Sequence, residues 1–581
     1  MSETTAPVGA AAEGKTFLGH PRGLVILFFA EMWERFSFYG MRGLLVIYLT
    51  QHFLFSDDKS SLIYGAYLAL VYIMTIVGGT LADRYLGSRK AVTFGAILLV
   101  LGHLGMAFEG SGSRQIMTYE GSEYELTADG RGGDAPSIVV AGDAKSVVQY
   151  TTEGIVVVEP QAVGLPPLVP ADAYETRIER EPLYVNILYL SLALIIAGVG
   201  YLKANISTIV GSLYEQGDRR RDAGFTIFYM GINLGSFAAG LACGWLAYEF
   251  GWKYGFGLAG LGMLAGLLVF LMGQPLLEGR GEPPNPEALK EPWLLGVNRE
   301  IWCYLAAPLI MLVAFLLVSN AEFYGTPVGQ NMVLAVGLLT FLFLVGFAIF
   351  TVQGEERSQL LAALYFIVAQ IPFWALFEQA GSSLNLFADR IIDRDVFGFV
   401  VPTPWFQSLN AGFIILFAPV LAWLWVALGK RNLEPSTPVK FAFGVAGVGL
   451  GFLALAAGIN GSGSTALVPV LFIVLIYWFH TIAELMLSPV GLSAITKLAP
   501  ARVVGMAMGA WFLYIGFGGY LAGVIAKQTG AETLGGQITD IAAAKATYAS
   551  VYTNVAWVSI GIAVVMLLIS PIVKRYMRGV H

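Results

Sequence analysis

Cysteine, histidine and charge are all scarce in this chain of 581 residues. The two cysteines, Cys243 and Cys303, both fall in apolar stretches, which argues against a disulfide or a thiolate metal pair and for small buried side chains. The five histidines, His20, His52, His103, His480 and His581, are scattered. With no H-E-x-x-H pair and no Gly-x-Ser-x-Gly in a strand-turn-helix setting, the sequence offers neither a zinc site nor a nucleophile with its base, and no enzyme is expected. Charged residues amount to 13%, about half the share in a soluble chain. A formal net charge of −6 gives no sign of a nucleic-acid partner. Residues 1–19 are polar and Ala/Gly-rich without an ordered n-region, h-region and cleavage site, so a short cytoplasmic tail is expected there instead of a cleavable signal.

What the chain has in excess is apolar length: 56% hydrophobic residues and a mean hydropathy of +0.68. Runs of about 20 apolar residues, enough to cross a hydrocarbon core of about 30 Å, recur throughout. They fall at 22–51, 61–83, 90–109, 183–213, 222–249, 253–273, 300–319, 328–352, 358–388, 404–428, 438–459, 467–497, 503–527 and 551–573. Backbone polar groups in lipid must be satisfied internally, so an all-α polytopic membrane protein of fourteen spans is expected. The even count puts both termini on one side. Short loops on that side hold Arg84, Arg89, Lys90, Arg219, Arg220, Arg221, Arg357, Lys430 and Arg431 among others, against a few such as Lys59, Lys253, Lys527 and Lys545 opposite. Both ends are therefore expected in the cytoplasm, and the lipid bilayer, as a plasma membrane, is the expected surrounding.

Charge inside such a span is expensive, at about 2.5–3.5 kcal/mol per residue on insertion scales, and points to a bundle interior or a wet cavity. Glu31, Glu34, Arg35 and Arg42 share one stripe of the first span at about 100° per residue. Lys203 stands alone in the fourth span and must meet a carboxylate or a substrate anion, or lose its proton. Asn233 lies among small residues in the fifth span, where it either bonds helices together or faces a ligand. In the second half, Glu378 follows Pro372 inside an apolar span, Asn410 closes Trp405–Asn410, and Glu484 precedes Pro489. The central groups, Glu31, Glu34, Glu378 and Glu484 against Arg35, Arg42 and Lys203, are four acids to three bases. One carboxyl is therefore expected to take a proton. Between the third and fourth spans, 109–182 is polar, with β-branched or alternating runs at 137–141, 145–151 and 154–159 separated by Gly/Asp turns, and a small β-rich extracytoplasmic insert is expected.

The second span ends in Gly78-Gly79-Thr80-Leu81-Ala82-Asp83-Arg84-Tyr85-Leu86-Gly87-Ser88-Arg89-Lys90. This resembles the signature between the second and third helices of the major facilitator superfamily, which implies two six-helix bundles plus an additional helix pair. The expected division is a tail 1–21, a first bundle 22–273 containing the insert, a linker 274–299, the helix pair 300–352, a second bundle 358–573 and a tail 574–581. Asp83 and Arg84 would latch the cytoplasmic gate by charge-assisted bonds.

Glu31-x-x-Glu34-Arg35, Lys203, Phe228–Asn233 and Glu484-x-x-x-Ser488-Pro489 together resemble the proton-coupled oligopeptide transporter family. That resemblance implies a symporter of di- and tripeptides with protons, working by alternating access without a cofactor or an obligate protein partner. It assigns proton coupling to Glu31, Glu34, Arg35, Lys203 and Glu378. It assigns peptide binding to Arg35, Tyr39, Tyr72, Lys203, Asn233, Asn410, Glu484 and Trp511, with the amino end at Glu484 and the carboxylate at Arg35 and Lys203. Arg42 would close the outer gate against Glu378 or another acid of the second half. The family's first-helix pattern often ends in two tyrosines, and Phe38 replaces the first of them here, removing a hydroxyl beside Tyr39. A symporter of nitrate or another small solute, and a membrane-anchored receptor acting through the insert, are the competing expectations.

Overall fold

Two separate apolar cores organise the molecule, one in each half of the chain. The computed structural model describes residues 16–133, 135–215, 218, 220–500 and 502–580. Residues 1–15, Arg219 and His581, which belong to the expected tails and basic loops, lie outside the described residues. The first half comprises helices α1 (Gly23–Gln51), α2 (Asp57–Leu81), α3 (Gly87–Met106), α4 (Pro182–Ser212), α5 (Arg221–Glu249) and α6 (Trp252–Gly273). Two more, α7 (Arg299–Ser319) and α8 (Pro327–Thr351), lead to the second half: α9 (Gly354–Arg390), α10 (Gln407–Gly429), α11 (Thr437–Gly461), α12 (Val470–Leu498), α13 (Val504–Lys527) and α14 (Ile541–Tyr576). Twelve segments among the described residues are long and apolar enough to cross a membrane, against fourteen apolar runs in the sequence. Asp57–Met106 qualifies as one segment although the turn Ala82–Leu86 divides it, and α1, with its four charges, is not among the twelve.

Local chemistry sets the helix ends. The Ser56 hydroxyl accepts from Lys59 N at 3.3 Å before an acidic first turn, Asp57 and Asp58. Asn298, Thr326 and Asp540 cap α7, α8 and α14 in the same way, each accepting from the backbone three residues on. Small residues then let helices touch backbone to backbone: a Cβ on Gly78 would lie 2.1 Å from Gly200 O, so α2 and α4 cross without intervening side chains. The α9 helix is broken twice, before Pro372 and at the 3₁₀ turn Glu378–Gly381, which brings a carboxylate to the mid-helix break.

Between α3 and α4 stands a seven-stranded antiparallel sheet. Its strands are β1 (Arg114–Tyr119), β2 (Ser122–Ala128), β3 (Ser137–Ala141), β4 (Ala144–Thr151), β5 (Gly154–Val157), β6 (Leu168–Pro170) and β7 (Tyr174–Glu179), in spatial order β6-β5-β4-β3-β2-β1-β7. Alternate residues, Met117, Leu126, Val139 and Val148 among them, build its own small core. The helices α7 and α8 lie along the outside of both halves. Tyr201 hydroxyl donates to Cys303 O at 2.6 Å, Tyr514 hydroxyl to Gly337 O at 2.8 Å and Tyr520 hydroxyl to Tyr324 O at 2.7 Å. Cys243 and Cys303 are both buried and unbonded.

The two halves meet most closely at the end that carries the sheet. There α2 and α13 touch through glycine, a Cβ on Gly65 falling 2.8 Å from Gly523 Cα. Asp57 Oδ2 lies 2.7 Å from Arg390 Nη1 and also accepts from Ala531 N at 3.0 Å, with both charged side chains almost wholly buried. Gln51 donates to Asp389 at 2.8 Å and Asn385 to Gly43 O at 2.8 Å. Removing one partner of a buried pair strands the other charge, so Asp57→Ala should lower unfolding stability by about 3 kcal/mol. Adding Arg390→Met to that variant should recover most of the loss, as read by thermal unfolding of the purified protein.

Candidate transport site between the two halves

The stripe on α1 folds as a single charged face. Arg35 Nε lies 2.7 Å from Glu31 Oε1, one turn away, and 3.0 Å from Glu34 Oε2. Both carboxylates are 1% exposed, so the guanidinium serves two acids in an apolar setting. Lys203 comes in from α4 with its ammonium 4.0 Å from the centre of the Tyr72 ring, a cation–π contact. Among the described residues it has no carboxylate within ion-pair distance. The sequence placed the four groups on two spans; the fold makes them one cluster beside the wall formed by Tyr72.

About two turns along α1 toward the sheet, Arg42 crosses to the second half. Its Nη2 lies 2.7 Å from Glu378 Oε2, its Nε donates to Tyr64 hydroxyl at 2.7 Å, and Tyr64 donates in turn to Glu378 at 3.3 Å. The ring closes because the break in α9 leaves Gly381 under Tyr64, where a Cβ would sit 2.0 Å from the hydroxyl. On the far wall, Glu484 of α12 accepts from Asn410 Nδ2 at 2.9 Å, and Asn410 also donates to Thr481 hydroxyl at 3.1 Å.

These groups surround a cavity of about 70 Å³ between the halves, with Tyr39, Arg42 and Tyr72 on one side and Glu378, Asn410 and Glu484 on the other. Hydrogen bonds joining the halves, among the described residues, run from Arg42–Glu378 and Ser408–Phe237 up to Gln51–Asp389 and Asp57–Arg390, all in the sheet-end part of the bundle. The cavity is thus sealed toward the sheet by two buried ion pairs in series. A cavity with Arg42 on one wall and Glu378 and Glu484 on the other has the charges of both signs that a zwitterion requires.

Trp511, Asn233, Asp83 and Arg84 fall elsewhere, and Arg35 and Lys203, expected to bind the peptide carboxylate, do not line the cavity. Trp511 does not line the cavity: it is 1% exposed, its ring packs against Phe441, and Gly491 leaves the room that a Cβ, 2.2 Å from the indole, would take. The reason is that α13 turns this face into the core of the second half. Asn233, 5% exposed, donates to Tyr229 O of its own helix at 3.0 Å and is not on the cavity wall. Asp83 and Arg84 are exposed in the turn Ala82–Leu86 and make no ion pair among the described residues. The charge contacts at that end are made by their neighbours, Arg89 with Glu282 and Lys90 with Glu300.

The structure also adds residues that the sequence did not single out. Tyr64 lies within an apolar run, and Asp57 and Arg390 lie just outside apolar runs, where charge is ordinary. His480 and Gln407 reach the cavity as well. Phe38, 4% exposed, stacks on Tyr67, whose buried hydroxyl has no hydrogen-bond partner among the described residues.

Comparison with known proteins agrees with this architecture. The sequence profile of the POT family (PTR2) matches residues 89–541. The chain is 34% identical over 577 residues to the uncharacterized transporter YclF of Bacillus subtilis, covering 97% of each. It is 33% identical over 543 residues to the peptide transporter YePEPT of Yersinia enterocolitica, covering 90% of each. A crystal structure of a mutant peptide transporter with alafosfalin bound superposes with a TM-score of 0.73 at 32% identity, over 97% of each chain. Another, of a POT family transporter with 5-aminolevulinic acid, gives 0.71 at 26% identity, over 96% of this chain and 98% of that one. A family profile spanning most of the sequence, relatives matching from end to end and the same two-bundle fold make this chain a member of the POT family, whose members are membrane transporters and not enzymes.

Proposed function

We propose that this protein is a proton-coupled symporter that takes di- and tripeptides across the plasma membrane by alternating access, with fourteen spans and both termini in the cytoplasm. The observation that carries this reading is a cavity between the halves with Glu484 on the second-half wall and, on the first-half wall, Arg42 and the Tyr72 ring on which Lys203 rests. A peptide is a zwitterion with its poles several ångströms apart, and it needs both walls. A nitrate ion would face Glu378 and Glu484 at close range, which disfavours the anion alternative. That relatives are named peptide transporter and dipeptide and tripeptide permease supports the same choice.

Coupling follows from charge balance. Arg35 is held by Glu31 and Glu34, and Lys203 rests on Tyr72. Protonating either acid weakens its hold on the bases, which then take the peptide carboxylate while Glu484 takes the amino end. Protonating Glu378 removes the negative partner of Arg42 and weakens the seal toward the sheet, so a proton and a peptide each favour the change that moves the other.

Purified protein in sealed liposomes should accumulate labelled dialanine above equilibrium only with an inward proton gradient. Unlabelled di- and tripeptides should compete, and free alanine or nitrate should not. An absence of peptide-dependent flux in folded protein contradicts the proposal. Glu378→Gln should cut gradient-driven accumulation at least about tenfold, the loss expected when a coupling charge worth more than about 1.4 kcal/mol is removed; uphill transport at the wild-type rate would dismiss Glu378 from the coupling. Lys203→Ala should lose accumulation against a gradient while peptide exchange across the membrane persists, measured by counterflow.

A further inference from the structure

The link that joins β2 to β3, described at residues 129–133 and 135–136, leaves the sheet and enters the seam between the two halves. On the first-half side, Arg131 Nη1 donates to Tyr248 O at 3.3 Å and Glu249 O at 3.4 Å, and Nη2 to Phe250 O at 3.5 Å. These are carbonyls at the end of α5, which lack helical partners and carry the negative end of the helix dipole. Gly132 N donates to Gln51 Oε1 at 3.4 Å, and the same Gln51 side chain donates to Asp389 of the second half. On the second-half side, Gln537 Nε2 donates to Gly132 O at 3.1 Å. One residue thus gives its N–H to the first half and its carbonyl to the second. The conformation needs glycine, with φ at +99°.

The neighbouring contacts run the same way. A Cβ on Gly133 would lie 2.5 Å from Asp389 O and 2.8 Å from Arg390 Cα, so the turn rests directly on the backbone that presents Arg390 to Asp57. Gly535 N, in the loop between α13 and α14, donates to Gln115 Oε1 of β1 at 2.6 Å, and Gly535 packs under Thr127 of β2. The sheet is covalently part of the first half, between α3 and α4, yet it grips the second half at Gly132, at Gly133 and at Gln115. All three points lie at the sealed end of the cavity.

We propose that the insert is a strap across the sheet-end gate: Arg131–Gly133 and β1 hold the halves together at Asp389–Arg390 and Gly535–Gln537, so that opening the cavity on this side requires the strap to let go of the second half. The strap acts in parallel with the Arg42–Glu378 and Asp57–Arg390 pairs and biases the resting equilibrium toward the state closed on the sheet side. Its grip is made of neutral hydrogen bonds and backbone packing, which do not titrate. It therefore sets how far the gate must be driven, while the ion pairs decide when it opens. The inference rests on alternating access and not on which solute is carried.

The test is a distance measurement by spin labels at Lys253→Cys, beside the end of α5, and Thr465→Cys, between α11 and α12, both exposed at the sheet end of opposite halves. At a pH where the protein shows both a short and a long separation, Gln537→Ala should raise the ratio of long to short separations about fivefold, the shift that one net hydrogen bond supplies. Arg131→Ala with Gln537→Ala should raise that ratio further, to about twentyfold. Gln537 lies outside the insert, so its variant leaves the sheet's own sequence intact. Arg177→Ala, which breaks ion pairs with Glu123 and Glu179 within the sheet alone, should leave the populations where they are. Unchanged populations in both strap variants, or an equal shift in Arg177→Ala, overturn the proposal. No substrate is needed for the readout, so failure here is separate from failure of peptide transport.

Discussion

A charge buried between two helix bundles can be neither hydrated nor left alone, and in this protein that constraint falls on the seam. Arg42 and Asp57 of the first half find Glu378 and Arg390 of the second. Each pair is worth little as net stability, because desolvation offsets most of the attraction. Each is nevertheless costly to break one-sidedly. The rest of the structure serves to bring those four groups to the seam: the double break in α9 for Glu378, the serine-capped start of α2 for Asp57, and the glycine contact of α2 with α13 that lets the bundles close over them.

The charged cluster and the seam arginine share one helix. Arg35 and Arg42 are seven residues apart on α1, so the side that meets Glu31 and Glu34 and the side that meets Glu378 belong to one rigid body. In the proposed symport cycle, that one helix is the element that links protonation in the cluster to a change in the seam. Tyr64 makes the seam less dependent on charge alone, since it bonds both Arg42 and Glu378.

Much of the site could be read from the chain because mid-membrane charge is rare. Glu31, Glu34, Arg35, Arg42, Lys203, Glu378 and Glu484 stood out against apolar surroundings, and any arrangement of the helices would have turned them inward. Residues whose chemistry is common in membrane helices could not be sorted the same way. Tyr64 and Trp511 are both aromatic and buried, yet one bonds the gate and the other fills the second-half core; only the direction of α2 and α13 separates them. Asp57, Gln51, Asp389 and Arg390 lie at helix ends, where charge is ordinary and hydration is the default reading. Only the packing of sheet and halves over them makes them dry.

The sequence by itself determined the membrane helices, the presence of a polar insert after the third apolar run and the inventory of buried ionisable groups, since apolar length, alternation and the cost of burying charge are local properties of the chain. Tertiary structure alone decided that Arg42 takes Glu378, that Asp57 takes Arg390, that Lys203 rests on Tyr72 instead of an acid, and that the insert reaches the second half through Gly132. Those partners are hundreds of residues apart in several cases, and which carboxylate meets which base depends on the angle and depth at which two bundles pack, a quantity that no single stretch of sequence encodes.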